Sequence, residues 1–177
     1  DDLRVAETLH NKGAILCENG ASGDALSCLE EALRIRTLHY GANHESCADT
    51  QQWIGNVMRE CGDFDQALLF FKNALQVKKF TLGADHEEVA NTLQNMSVVL
   101  NDMEKYIVSL DCYEEALRIY TLQFGNDDER VADTLHRMAI DYAITEQNEL
   151  ALVHFEKAIQ IREKLLINDK WPSGKDK

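Results

Sequence analysis

The chain has 177 residues, 45% of them hydrophobic and 28% charged, with one proline and nine glycines; that apolar share offsets chain entropy and excludes an intrinsically disordered chain. Its 18 lysines and arginines face 31 aspartates and glutamates, a net charge of −13 that repels phosphate backbones and anionic lipid and makes nucleic acid and membrane surfaces poor partners. No apolar run approaches the ~18 residues of a membrane span, and Asp1-Asp2-Leu3-Arg4 lacks the basic and apolar stretches of a secretory signal.

The predicted elements recur in one frame. A helix opens at Val5-Ala6-Glu7-Thr8-Leu9 in a first unit spanning about residues 5–46, which Gly20 breaks into two helices. The second unit, 47–88, reopens at Cys47-Ala48-Asp49-Thr50-Gln51 and breaks at Cys61-Gly62-Asp63, with Gly62 suited to the left-handed position that ends a helix. The third, 89–130, begins Val89-Ala90-Asn91-Thr92-Leu93. There Leu93, Met96, Ser97 and Leu100 fall at i, i+3, i+4 and i+7, one helical stripe. Past Asn101-Asp102 a second stripe runs through Tyr106, Leu110, Tyr113, Leu117 and Tyr120. The fourth unit, 131–167, starts Val131-Ala132-Asp133-Thr134-Leu135, and a polar tail over 168–177 holds the single proline, Pro172. Starts at 5, 47, 89 and 131 are each 42 residues apart, with no insertion. No proline interrupts any predicted helix and no strand alternation competes, so the expected fold class is all-α.

Aligned columns show how the helices pack. Gly13, Gly55, Ser97 and Ala139 share a small site in the first helix of each pair. Leu29, Phe71, Tyr113 and Phe155 share a large site in the second, and Ala32, Ala74, Ala116 and Ala158 another small one. Small against large lets the helices interdigitate at close range.

Paired helices with these small, aromatic and alanine columns resemble the tetratricopeptide repeat, usually about 34 residues long. A 42-residue version, whose second helix runs into Gly-x-x-His, resembles the repeats of kinesin light chain. The residues that carry this are Ala25-Leu26-Ser27-Cys28-Leu29-Glu30-Glu31-Ala32-Leu33-Arg34-Ile35 with its equivalents, then Gly41-Ala42-Asn43-His44 and Gly83-Ala84-Asp85-His86. The resemblance covers about residues 3–167 and implies a right-handed superhelical solenoid of four antiparallel helix pairs, one array over 1–167. The chain departs from the family where Glu45, Glu87 and Glu129 replace the proline that often follows the loop histidine, and where Glu104 and Glu146 replace the interhelix glycine. Asp1-Asp2 aligns with Asp127-Asp128, so the chain looks like a piece of a longer array cut on its N-terminal side. Trp171 either folds back over the last unit or belongs to a frayed tail.

The resemblance also implies a peptide-binding concave groove lined by the first helices. Early in those helices stand His10-Asn11, Gln52-Trp53, Gln94-Asn95 and His136-Arg137; one turn on come Ala14, Asn56, Val98 and Ile140, then Cys17, Arg59, Asn101 and Ala143. Asn11, Asn56 and Asn95 match columns where kinesin-light-chain-like repeats place amides, which donate to and accept from a peptide backbone. Arg59 and Arg137 can fork onto a carboxylate, and Trp53 offers a rigid aromatic anchor. The groove candidates are therefore Asn11, Gln52, Trp53, Asn56, Arg59, Gln94, Asn95, Asn101, His136 and Arg137. The bland alternative is a solvated helix face. Glu7, Asp49, Asp133, Glu18 and Glu60 flank the same face, so the sign of the ligand stays open.

Neither frame of the array supplies the lysines and arginine of the family's chaperone-tail clamp. The chain has no HExxH, phosphate loop or GxSxG, so no enzyme, cofactor or metal is expected. Cys17, Cys28, Cys47, Cys61 and Cys112 are odd in number without CxxC, and read as reduced thiols of a cytosolic or nuclear protein; the expected location is cytoplasmic. His44 and Cys47 alone cannot complete a tetrahedral metal site. The reading is a non-enzymatic adaptor that binds a protein or peptide partner. A self-association module stacking through its terminal helices is the alternative.

Overall fold

A computed structural model describes residues 2–170. Among them are eight helices: α1 Leu3–Glu18, α2 Ser22–Tyr40, α3 Glu45–Glu60, α4 Phe64–Thr81, α5 Glu87–Asp102, α6 Tyr106–Phe124, α7 Glu129–Ile144 and α8 Asn148–Lys170. The first helix of each pair starts at 3, 45, 87 and 129, and the second at 22, 64, 106 and 148, so the 42-residue step holds in three dimensions.

The same local chemistry starts and stops each first helix. Asp2, His44, His86 and Asp128 are N-caps, each accepting from the backbone N–H two residues on, at 2.9, 3.2, 3.2 and 3.0 Å. The two loop histidines are thus caps, acting through Nδ1. Glu45, Glu87 and Glu129 follow at the first helical position, a place proline also suits, and there a carboxylate meets the positive end of the helix dipole. At the other end a left-handed residue closes a six-residue hydrogen-bonded turn: Ala21 N–H to Leu16 O, Asp63 to Met58, Lys105 to Leu100 and Gln147 to Tyr142, all 2.8–2.9 Å. The left-handed residue is Gly20 (φ 73°) and Gly62 (φ 78°), then Glu104 (φ 59°) and Glu146 (φ 62°).

Each pair packs antiparallel, and each second helix packs on the first helix of the next pair. Contacts also join α1 to α3 and α3 to α5, with none comparable between successive second helices among the described residues. The first helices therefore lie on the inside of the curve. The predicted columns form the core: Ala32, Ala74 and Ala116 are fully buried, as are Leu29, Phe71 and, nearly so, Tyr113. The ring of Phe71 lies where a Gly55 Cβ would sit, 3.0 Å from Cζ, and Leu29 fills the same space over Gly13.

Helix α8 continues past Ile167 to Lys170, so the helical part of the chain extends into the segment assigned to a polar tail. Asn168-Asp169-Lys170 contains neither glycine nor proline to stop it. Trp171 lies outside the described residues.

Candidate functional site

A cavity of about 460 Å³ opens on the inner face, lined by His10 of α1, Glu45, Asp49, Gln52, Trp53 and Asn56 of α3, Lys78 of α4, and Glu88 and Asn95 of α5. Of the ten predicted groove residues, it brings together Gln52, Trp53, Asn56 and Asn95. Neither amide of Asn56 and Asn95 is engaged by another group among the described residues. Trp53 is half-buried, its ring resting partly on the core that holds Ile54 and Val57.

Lys78 of this cavity belongs to a column that sequence reading missed, Arg36, Lys78, Tyr120 and Arg162, one per unit in the second helix. Lys78 is 1% exposed; its Nζ donates to Gln52 Oε1 (2.7 Å) and Glu88 Oε2 (2.6 Å) and lies 3.0 Å from Asp49 Oδ1. Arg36 donates to Ser46 O and Thr50 Oγ1, both 2.7 Å, with His10 Nδ1 3.2 Å away. The Tyr120 hydroxyl donates to Asn91 Oδ1 at 2.6 Å, with Gln94 Oε1 at 3.2 Å. Arg162 pairs with Glu129 and Asp133. The signal was present in the sequence: a long polar side chain recurs every 42 residues at a position otherwise facing the core.

These bonds join into a line. Asn91 Nδ2 donates to Glu88 Oε1 (2.8 Å), and Gln94 Nε2 donates to Thr134 Oγ1 (2.7 Å). The line therefore runs Gln52–Lys78–Glu88–Asn91–Tyr120–Gln94–Thr134 through units two, three and four. Between successive first helices four such pairs are 40 residues apart: His10 with Thr50, Gln52 with Thr92, Gln94 with Thr134 and Asn101 with Asp141.

The remaining predicted residues sit elsewhere. Gln94 has both ends of its amide occupied by this line. Asn101 donates to Asp141 Oδ1 at 2.8 Å, and its buried carbonyl oxygen has no hydrogen-bond partner among the described residues. Arg59 is paired to Asp102 at 2.7 Å. His136 lies edge-on to Phe155, with centroids 5.4 Å apart. Arg137 is exposed and reaches the Tyr113 hydroxyl, and Asn11 is exposed outside the cavity.

Burial pushes the Glu88 carboxyl up, but the hydrogen bond and charge of Lys78, with Asn91, more than offset this and hold it below the usual range. Burial, then the nearby Arg36 guanidinium, lowers His10, so its imidazole stays neutral. A second polar cluster lies between units three and four. Asp141, fully buried, takes the place of Val57 and Val99 in its column and accepts from Asn101 and from the Ser109 hydroxyl. Burial raises its pKa, against those two hydrogen bonds. His44 stacks on Tyr40 and Cys47 is buried. Among the described residues no three His, Cys, Asp or Glu side chains group as metal ligands, and no helix is long and apolar enough to cross a membrane.

Curved stacking of identical helix pairs with a polar inner wall defines an α-solenoid repeat protein. The tetratricopeptide repeat profile matches residues 4–79, 48–106 and 94–164, and the chain belongs to that family. No curated protein matches the sequence. Among solved structures, the chain is similar to BtubC (BKLC) from P. vanneervenii at 21% identity, covering 93% of this chain and 66% of that one, with a TM-score of 0.81. It is similar to the putative kinesin light chain TPR-like repeats of Podosopora anserina at 16% identity, 92% and 76% coverage, TM-score 0.79. A Rap protein complexed with competence and sporulation factor matches at 14% identity, 98% and 45% coverage, TM-score 0.79. This chain thus spans about two thirds of BtubC and under half of the Rap protein.

Proposed function

We propose that this chain is a non-enzymatic, cytoplasmic adaptor that holds an extended peptide segment of a partner protein against its inner wall. The observation that carries the reading is the cavity spanning the first three units, where the amides of Asn56 and Asn95 are free of internal partners beside the Trp53 ring. Such amides pair with peptide backbone whatever its side chains. A rigid array also loses little order on binding, so contacts from several units sum into affinity. The Rap neighbour, solved with a factor bound, supports the use of this fold for holding ligands.

The Asn56→Ala/Asn95→Ala variant tests it. Two net hydrogen bonds at about 1 kcal/mol each predict roughly 30-fold weaker binding of peptides selected from a random display library. The melting temperature should not move, because neither side chain holds the fold. Calorimetric titration giving equal affinities for parent and variant removes this site.

One observation favours self-association as a second reading. Leu152 is 62% exposed, whereas Leu110 in the same column one unit earlier is 6% exposed beneath α7. Ile159, Leu166 and Ile167 are also exposed on α8. A concentration-dependent oligomer in light scattering that Ile159→Glu abolishes supports this reading; a monomer at all concentrations dismisses it.

A further inference from the structure

Resting on the groove reading above, we infer that the segment this cavity takes is cationic, its lysine or arginine side chains meeting the carboxylates of Glu45, Asp49 and Glu88. Three carboxylates line the cavity against one ammonium, that of Lys78. Asp49 and Glu88 remain 44% and 38% exposed while pairing with Lys78, so both still present oxygen to an incoming group. Glu45 is exposed on the same rim.

Lys78 cannot answer an acidic ligand. An ammonium has three N–H donors, and here they face Gln52, Glu88 and Asp49 at 2.7, 2.6 and 3.0 Å, with the side chain 1% exposed. Arg59, farther along the same helix, is held by Asp102. His10 stays neutral and adds no positive charge. An anionic segment would therefore meet a cleft with three carboxylates and one ammonium, a net negative field that repels it, whereas a cation gains from that field. Trp53 completes the fit: its ring face attracts an ammonium or guanidinium and packs against the aliphatic stem that carries it. The free amides of Asn56 and Asn95 then take the backbone of the same segment.

The test selects binders to the 177-residue chain from a random peptide display library. It keeps those lost on Asn56→Ala/Asn95→Ala and measures synthetic copies by fluorescence anisotropy at low and high salt. Enrichment of net positive peptides is expected. Their affinity should fall about tenfold in Glu45→Gln/Asp49→Asn, which leaves Lys78 paired with Glu88 so that the helices stay folded by circular dichroism. High salt should shrink that difference. Groove-dependent peptides that are neutral or acidic, or cationic ones indifferent to the charge variant, overturn the cationic assignment while leaving the groove standing. A library yielding no peptide sensitive to Asn56 and Asn95 overturns both.

Discussion

Replacing Glu104 and Glu146 by glycine should stabilise the array. Both hold φ near 60°, the left-handed region, at the turn where units one and two carry Gly20 and Gly62. A non-glycine residue there costs roughly 1–2 kcal/mol. Glycine gives back about 0.5–1 kcal/mol through the greater freedom of the unfolded chain. The net gain is about 0.5–1 kcal/mol per site. Nothing else changes to offset it: both glutamates are exposed, and the closing bonds from Lys105 and Gln147 run backbone to backbone at 2.8 Å. The two turns lie in different units, so the gains should add to about 1–2 kcal/mol, a rise of roughly 2–8 °C in melting temperature for a chain of this size. Far-UV circular dichroism melts of the parent, both single variants and the double variant measure it. The mirror variants Gly20→Glu and Gly62→Glu should lose about as much, since an added Cβ at either glycine meets no atom within 4 Å and only the backbone resists. A double glycine variant that melts at or below the parent temperature refutes the reasoning.

Phe71→Ala empties the space between Gly55, Ala67 and Val99 and should cost about 3–5 kcal/mol, while Ala116→Leu should cost roughly 1–3 kcal/mol by overfilling the seam beneath Val89 and Val131; urea melts decide both, and neutrality of either dismisses the packing frame. Asp141→Asn should stabilise the fold at neutral pH. Its folded pKa lies above its unfolded one, so as pH rises the unfolded chain ionises first and stability falls until the raised value is passed. Asparagine removes that loss and keeps a bond at each position: its amide oxygen accepts from Asn101, its NH2 donates to Ser109 Oγ, and the single Ser109 proton turns to Tyr106 O, 2.8 Å away. Denaturant melts should show the gain near pH 7 and none near pH 3, below the ordinary aspartate range; an equal gain at both, or a loss at pH 7, counts against the sign.

Much of the fold was legible because every unit repeats the same answer. The Val-Ala-x-Thr opening, the small and aromatic columns and the Gly20 and Gly62 breaks each point to one helix pair. Glu104 and Glu146 hide the later breaks from a glycine search, yet the turn survives, because the surrounding bonds impose the backbone conformation. His44 and His86 looked like loop residues; a ring nitrogen capping a helix leaves no pattern beyond its distance from the helix start. Asn56, Asn95, Gln52 and Trp53 line one cavity, in columns that the family resemblance implies face the groove. Gln94 shares the column of Gln52, and Arg59 and Asn101 share a column one turn beyond Asn56, yet these three are spent on Thr134, Asp102 and Asp141 of the next unit. Which polar groups on a helix face are left over depends on partners about one unit away, and no single helix read alone reveals them.

The polar line through units two, three and four has a mechanical consequence. It runs without a gap from Gln52 to Thr134, whereas the joint between the first two units has its own clasp of Arg36, His10 and Thr50. Stretching or unwinding the last three coils must part charged and amide bonds in sequence, as pulling a tendon loads every fibre along its length.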